Sequence, residues 1–156
     1  MHDWSKFHPT EFFESVKYYQ GDKSPIPVCK KENGVSLAWQ HHKGHNPHHY
    51  EYWTDNYDGG TPTYHPMPYE YAMEMLADWF AAGRTYHGKD FNIMDEVDWW
   101  DNKKPTIALA EPTKSFIELF MSEAAFFENL DWAKDRHNQK VLKNRLELLY
   151  EKDRHK

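Results

Sequence analysis

The stretch PYEYAMEMLADWFAAG, residues 68–83, decides the fold class. A proline is tolerated in the first turn of a helix, and glycine commonly ends one. Between the two, apolar residues recur at the three- and four-residue spacing of an amphipathic helix. The face they form consists of Tyr71, Met75, Trp79 and Ala82. The stretch therefore predicts a helix that stops at Gly83 and carries Asp78 inside an otherwise apolar stripe.

The rest of the chain also reads as helices separated by loops. Residues 21–34 and 54–66 are rich in proline and glycine and are expected to be loops. Further helices are predicted over residues 8–21, 36–44, 46–53, 94–100, from 112 onward, and 131–156. Strand alternation is absent over any useful length, so the fold class is all-α. We expect a compact bundle with short helices and long loops.

Two of these helices have a defined apolar face. Phe12, Val16 and Tyr19 fall at i, i+4 and i+7, so they form one apolar face of the helix over residues 8–21. The C-terminal segment is strongly charged, with one apolar stripe made of Val141, Leu142, Leu146, Leu149 and Tyr150. We therefore expect a domain over residues 1–130 and a C-terminal amphipathic helix over 131–156, packed on that domain or on a partner.

Composition excludes several classes of function. The formal net charge of −6 argues against a general nucleic-acid binder. The single Cys29 excludes an intrachain disulfide framework and a multi-cysteine zinc site. No apolar run approaches the roughly 20 residues of a membrane span. The start of the chain does not resemble a secretory signal, so a cytoplasmic location is expected. The 17% aromatic content favours a folded chain over a disordered one.

Histidine is the outlying residue type, because five of the 11 histidines lie in WQHHKGHNPHHYEYW, residues 39–53. Histidines four apart on a helix can share a metal ion. The pairs with that spacing are interrupted by Gly44 and by the Asn46-Pro47 pair. We therefore expect one ligand from each short helix, His42 and His49, with Gln40, Asn46 and Glu51 orienting the imidazoles. The alternative is a polar loop whose rings cap helices and stack on aromatic neighbours.

The other histidines divide into two groups. His41, His45 and His48 lie in the same segment, and their roles stay open. Those expected to be solvated are His8, His65, His87 and His155.

Two further features can supply metal ligands. The adjacent pair His2 and Asp3 offers an imidazole and a carboxylate, although two polar residues at a chain start can equally be solvated. Asp78 is expected to face inward, where a carboxylate must be paired or bind a metal. The alternative for Asp78 is a salt bridge with Lys6 or Arg84. Glycine-rich phosphate-binding motifs are absent from the sequence, and nothing places a base beside Cys29.

The run HDWSKF, residues 2–7, followed by a helical histidine set and a later helical aspartate, resembles the HD superfamily of metal-dependent phosphohydrolases. It looks closer still to an uncharacterised bacterial and phage family with an HD-x-SK-[FY] motif. That family has a block like residues 37–53 and a helix like residues 73–78. The similarity covers roughly residues 2–125. It implies an all-α fold and hydrolysis of phosphate esters of nucleotides or related compounds.

The resemblance also implies roles for individual residues. His2 and Asp3 match the doublet, Asp78 matches the late metal ligand, and His42 and His49 match the additional ligands of members with two metals. The implied cofactor is one or two divalent ions of Mn, Fe, Co, Ni, Zn or Mg. The residues expected to take part in catalysis are Asp3, Lys6, Lys43 and Glu51, with the two lysines binding phosphate.

The sequence departs from the family pattern at its start. Members normally carry a helix before the doublet, with a further ligand histidine, whereas here the doublet is residues 2 and 3. Three explanations stay open: a degenerate site, a recorded start that is too late, or a C-terminal helix that fills the vacant place. In the third case His137, in the segment 135–142, replaces the missing ligand.

The expected function is therefore a metal-dependent phosphohydrolase acting on a small phosphorylated molecule, a nucleotide in the first instance. The alternative is a catalytically degenerate metal-binding or interaction protein on the same fold. A third expectation is a helical partner-binding module, with a homodimer formed through the C-terminal stripe. No membrane partner is expected.

Overall fold

The computed structural model describes residues 3–21, 23–56 and 60–155. Within them helices dominate, and the strands form one small two-stranded sheet, so the predicted all-α class is confirmed. The chain divides into two compact units, Met1–Tyr52 and Trp53–Lys156. We call them the N-terminal unit and the C-terminal unit. None of the described helices is long and apolar enough to cross a membrane.

The N-terminal unit is built around α1, which packs against both α2 and α3. Its elements are a 3-10 turn at Trp4–Phe7, α1 (Pro9–Tyr18), α2 (Pro25–Asn33) and α3 (Leu37–His45). Ser36 begins α3 as predicted, because its hydroxyl accepts a hydrogen bond from the amide of Trp39 at 3.0 Å. The helix predicted over residues 46–53 is instead a turn followed by a 3-10 helix at Tyr50–Trp53.

Helix α2 corrects the prediction that residues 21–34 form a loop. Ser24 caps it, Pro25 is its first residue, and Gly34 ends it in the left-handed conformation with φ 77°. Both prolines of this segment lie in the first turn, where a proline sacrifices no helical hydrogen bond. The prolines that suggested a loop therefore begin a helix.

The apolar face predicted for helix α1, with Phe12, Val16 and Tyr19, is not buried. Their exposed fractions are 49%, 61% and 62%, whereas Glu11 on the opposite face is 3% exposed. The face of α1 that packs inward is set by hydrogen bonds to Glu11 from two histidines of α3. The apolar stripe is real, but it faces outward.

The C-terminal unit begins with the small sheet, in which Thr54 pairs with Tyr64 and Asp55 with Thr63 in antiparallel register. Its elements are β1 (Thr54–Asp55), β2 (Thr63–Tyr64), α4 (Tyr69–His87), a 3-10 turn (Gly88–Asp90), α5 (Ile93–Lys103), α6 (Glu111–Phe127), α7 (Asp131–Lys134) and α8 (Arg136–Arg154). Helix α6 packs against α5 and α8, and α4 packs against α5. The apolar core of this unit includes Trp100, Phe116, Ile117, Leu142 and Leu146.

Helix α4 continues through Gly83 to His87 and so corrects the predicted stop. A Cβ atom at Gly83 would lie 1.8 Å from the nearer carboxylate oxygen of Glu96 and 3.1 Å from the ring of Phe91. The glycine is therefore a place where α5 approaches closely, not a helix end. Asp78, in the same helix, is half-buried.

Candidate metal centre

Four side chains of the N-terminal unit converge on one point. They are Asp3, His42, His48 and His49, and each offers one ligand atom within 4.8 Å of the others. His42 and His48 are buried, and Asp3 and His49 are half-buried. Such a group can hold a metal ion, because imidazole nitrogens and carboxylate oxygens both bind divalent transition metals.

Three short segments bring these side chains together. Asp3 precedes the 3-10 turn and has φ 54°, a left-handed conformation that aspartate adopts more readily than most residues. His42 lies on α3, and His48 and His49 lie in the turn that follows Pro47. The side-chain amide of Asn46 donates to the carbonyl of His42 at 2.7 Å and to the hydroxyl of Ser5 at 2.6 Å. This predicted orienting residue thus joins the end of α3 to the turn that carries Asp3.

The spacing of the ligand atoms fits a metal site. Oδ1 of Asp3 lies 3.4 Å from Nε2 of His42 and 3.3 Å from Nε2 of His48. Charge-assisted N–H···O hydrogen bonds are typically about 2.7–2.9 Å long, which is shorter. Two ligands bound tetrahedrally at about 2.1 Å from one ion lie about 3.4 Å apart. The observed distances therefore match the edge of a coordination shell.

Glu11 fixes the orientation of His42. Its Oε2 lies 2.8 Å from Nδ1 of His42, and its Oε1 lies 2.6 Å from Nδ1 of His41. A carboxylate only accepts hydrogen bonds, so both Nδ1 atoms donate. In the neutral imidazole, Nε2 of His42 then carries the lone pair, and this atom lies on the side that faces Asp3. This carboxylate–histidine arrangement is typical behind metal-ligating imidazoles.

The electrostatics favour the charge states that a metal requires. Burial acts to raise the pKa of Asp3, but the nearby His48 and the ion pair with Lys6 outweigh it, so the pKa lies well below the usual range. Burial, together with the neighbouring His48 and His42, lowers the pKa of His49 to about 3. Asp3 is thus ionised and His49 neutral near pH 7, as metal ligation demands. Nε2 of His49 is buried and has no hydrogen-bond partner among the described residues.

Of the predicted catalytic residues, Asp3 belongs to this group, and Lys6, Lys43 and Glu51 do not. The ammonium of Lys6 forms an ion pair with Oδ2 of Asp3, which leaves Oδ1 to face the histidines. Lys43 is half-buried on α3. Burial raises the pKa of Glu51, and the charge of Lys43 partly offsets that rise. Oε2 of Glu51 is buried without a hydrogen-bond partner in the described part of the chain.

Three predicted ligands are not part of the four-residue group. His2 lies outside the described residues. Asp78 on α4 and His137 in the first turn of α8 belong to the C-terminal unit. The amide of His137 donates to the capping carboxylate of Asp135 at 2.9 Å, and its side chain is exposed. Ligand roles for Asp78 and His137 stay predictions.

The pair with helical metal-binding spacing, His41 and His45, does not form a chelate. The two rings stack with centroids 4.0 Å apart and an interplanar angle of 16°, and His8 stacks with His41 at 4.1 Å. Lone pairs in the planes of parallel rings do not converge on one ion. His41 and His45 therefore stack, as the alternative prediction for residues 39–53 expects, and His8, which was predicted to be solvated, is exposed.

Sequence reasoning left His48 undecided and missed Glu11. His48 had a local signal, because Pro47 interrupts the helix and lets two adjacent side chains turn to the same side; the rings of His48 and His49 are 4.3 Å apart. Glu11 had no such signal. Its partners are 30 and 31 residues away, and no local pattern shows which face of α1 packs inward.

The chain belongs to the family described as "Family of unknown function (DUF5662)", whose sequence model matches residues 1–123. That match spans the whole N-terminal unit, including all four residues of the candidate metal centre, and extends into α6. No curated protein and no solved structure gives a significant match.

Proposed function

We propose that the N-terminal unit binds a divalent transition-metal ion through Asp3, His42, His48 and His49, and that the protein is a metal-dependent phosphohydrolase. The observation that carries the proposal is the convergence of three imidazoles and one carboxylate in a single group. The carboxylate of Glu11 behind His42 adds support, because it holds that ring in the tautomer a metal ligand needs.

The donor set narrows the choice of ion. Three nitrogen donors and one oxygen donor suit Zn, Mn, Fe, Co or Ni. Mg²⁺ prefers oxygen ligands and keeps several of its waters, so this set favours it least. We therefore expect a first-row transition metal in the protein as purified.

The proposed substrate is a small phosphorylated molecule, a nucleotide in the first instance, and this choice rests on the HD-like sequence pattern of residues 2–7. A divalent ion in this site would lower the pKa of a water molecule and neutralise charge on a phosphoryl group. The exposed Lys6 would contact phosphate oxygens while its ion pair holds Asp3 in place. Lys43 is the second candidate for phosphate contact.

A second function is metal binding without catalysis, and one observation favours it. Four protein ligands complete a tetrahedral shell, and His42 and His48 are only 7% and 2% exposed. Structural zinc sites are closed in this way, whereas catalytic ones keep a position open. The same residues therefore support a structural or regulatory metal if the bound ion is tetrahedral.

Metal content tests the shared part of both functions. The chain would be expressed without a histidine tag and analysed for bound metal and for zinc and manganese affinity by calorimetry. We expect one ion per chain, lost in His48→Ala and retained in His45→Ala, which removes an exposed histidine from α3. A protein that binds no ion, or two variants that bind equally, would contradict the proposal.

Hydrolysis separates the two functions. Metal-loaded protein would be assayed against nucleoside mono-, di- and triphosphates, cyclic nucleotides and a chromogenic phosphate ester. The enzyme proposal expects activity that is lost in Asp3→Asn, and the ligand prediction for Asp78 expects loss in Asp78→Ala. Activity that survives Asp3→Asn would overturn the assignment of the site. Metal binding without any hydrolysis would favour the second function.

A further inference from the structure

The outward face of α1 and of the preceding 3-10 turn carries large apolar side chains. We call it the aromatic face, and it consists of Trp4, Phe7, Phe12, Phe13, Val16 and Tyr19. All six are exposed, by 49–72%. Two pairs of rings touch within it: Trp4 with Phe7 at 5.3 Å and Phe12 with Phe13 at 5.5 Å between centroids. Exposed apolar surface on this scale marks an interaction site.

Helical geometry shows that the aromatic face is a real stripe. At about 100° per residue, Phe12, Val16 and Tyr19 fall within about 60° of one another, and Phe13 borders them. Glu11 and Tyr18, the buried residues of α1, lie on the other side of the helix. The helix is therefore amphipathic with its apolar side turned away from its own unit.

Charge identifies the partner that suits this face. None of the six side chains is charged, and the N-terminal unit has six lysines and six acidic residues, a formal charge of zero. With no net charge, the unit offers an anionic partner such as nucleic acid no net attraction, whereas two copies of a face whose apolar stripe has no charged residues meet without repulsion. We propose that the aromatic face is the interface of a symmetric dimer, with α1 of one copy packed against α1 of a second copy.

The area fits such a dimer. Since an aromatic side chain offers about 150–250 Å², the six residues expose on the order of 700 Å². A stable interface buries about 800 Å² on each partner. The aromatic face therefore supplies most of what one protomer needs, with polar residues at its rim supplying the rest.

The position of the face links the dimer to the metal site, and this part of the inference rests on the proposed metal binding. Asp3 directly precedes the 3-10 turn that presents Trp4 and Phe7. Burying those two rings in a dimer orders the turn, and a metal bound by Asp3 orders the same turn. Each event should strengthen the other by the same factor, because coupling free energies are reciprocal.

Sedimentation velocity of the full chain between about 1 and 100 µM tests the dimer. We expect wild type to dimerise, and Phe13→Glu and Val16→Glu to shift it to monomer, because each places a charge in the interface. Both positions are exposed, so both variants should stay folded, with the wild-type circular dichroism spectrum. Two controls replace exposed apolar residues of the C-terminal unit, Phe126→Glu and Leu148→Glu, and should stay dimeric.

Several results would overturn the dimer. They are a monomeric wild type at 100 µM, a dimer that survives both substitutions in α1, or dissociation by Leu148→Glu, which would place the interface on the C-terminal helix instead. A monomer that binds phospholipid vesicles through Phe13 and Val16 would assign the face to lipid and refute the dimer as well.

A metal titration tests the coupling between metal binding and dimerisation. Titration with zinc or manganese should lower the dimer dissociation constant severalfold in wild type but not in His48→Ala. An unchanged dissociation constant in metal-loaded wild type would refute the coupling and leave the dimer standing. A chain that binds no metal would refute the proposed function, and the sedimentation result would still decide the dimer.

Discussion

The two units of this protein differ in whether the apolar stripes of their helices turn inward. In the C-terminal unit, the apolar stripes of α6 and α8 face inward, and Phe116, Leu142 and Leu146 are almost fully buried. In the N-terminal unit, the apolar stripe of α1 faces outward and the buried positions include Glu11 and His48. Sequence periodicity shows which residues share a face of a helix, but the partners available to each face decide which one turns inward.

Energetics explains the difference. Burying an unpaired carboxylate is very costly, whereas burying one that accepts charge-assisted hydrogen bonds from two imidazoles is tolerated. Glu11 has two such partners, His41 and His42, so the polar face of α1 packs inward. We therefore expect the C-terminal unit to depend on apolar volume and the N-terminal unit to depend on its hydrogen-bonded network and its metal.

The largest effect is expected on the stability of the C-terminal unit. Phe116→Ala should lower the free energy of unfolding by about 3–5 kcal/mol, because it leaves a cavity where a fully buried ring stood. The matched control on the same helix is Phe126→Ala, at a position that is 80% exposed, and it should change stability by less than about 0.5 kcal/mol. Urea denaturation measures both. Equal losses of stability at the two positions would show that the C-terminal unit does not depend on its buried apolar volume.

The next largest effect is expected in the N-terminal unit, on metal affinity. Glu11→Gln should weaken metal binding by about 10–100-fold, because a neutral amide holds the His42 ring less firmly than a carboxylate. The control is Glu14→Gln, one turn along α1. Glu14 accepts hydrogen bonds from Ser36 and from the amides of Leu37 and Ala38, so it fixes the start of α3 and not the ligand ring.

Two measurements read out this pair of variants. Competition with a chelator gives the metal affinity, and nitrogen chemical shifts of the imidazole report which tautomer His42 adopts. Glu14→Gln should lose stability but keep the metal affinity and the tautomer. Equal metal affinities in Glu11→Gln and wild type would show that the ring is held by other contacts.

The helical content of the chain follows from local signals, and most of it could be predicted. Ser36 as a cap and the stripe of Leu142 and Leu146 identify their helices. Proline and glycine were the misleading residues. The prolines of 21–34 begin α2, because a proline is tolerated in the first turn of a helix. Gly83 lies inside α4, and the reason for a glycine there is the close approach of Glu96 on another helix, which local sequence does not show.

The candidate metal centre could be predicted only in part, for the same physical reason. Asp3, His42 and His49 were identified from residue type and from the interruption of the helix between the two histidines. His48 stayed open because the course of the chain after Pro47 is not set by periodicity. Glu11 was missed because its role depends on which face of α1 meets α3, and periodicity alone does not show that.

Glycine offers a third comparison between the units. Gly44 lies in α3, and a Cβ atom at this position would have no neighbour within 4 Å, so Gly44→Ala should stabilise by about 0.5–1 kcal/mol. Gly83→Ala should be less favourable than Gly44→Ala by about 1–3 kcal/mol, because its methyl group would displace the buried Glu96 carboxyl. Thermal unfolding measures both. If Gly83→Ala in a Glu96→Ala background is no better tolerated, contact with Glu96 is not the reason.

The smallest effect on stability is expected at Glu96. This residue is buried like Glu11, but its surroundings shift its pKa in the opposite direction. Burial raises the pKa of Glu96, and the charge of Asp95 adds to that rise against the effect of His87. Burial also acts to raise the pKa of Glu11, but hydrogen bonds from His41 and His42 outweigh it, so that pKa is lowered. The folded state therefore binds a proton at Glu96 more tightly than the unfolded state does. This contribution to stability is complete below the unfolded pKa and is lost as pH rises through the folded pKa.

Glu96→Gln mimics the protonated acid at every pH. It should stabilise the protein by about 0.5–1 kcal/mol at pH 7, and the gain should shrink toward pH 4, where wild-type Glu96 is itself protonated. Urea denaturation at pH 4, 5, 6 and 7 measures the trend, with Asp98→Asn, an exposed acid on the same helix, as the control. A gain that is equal at pH 4 and pH 7 would mean that Gln acts through shape and not charge. A loss of stability at pH 7 would mean that Glu96, like Glu11, has partners that stabilise its charge. The two buried glutamates would then not differ between the units.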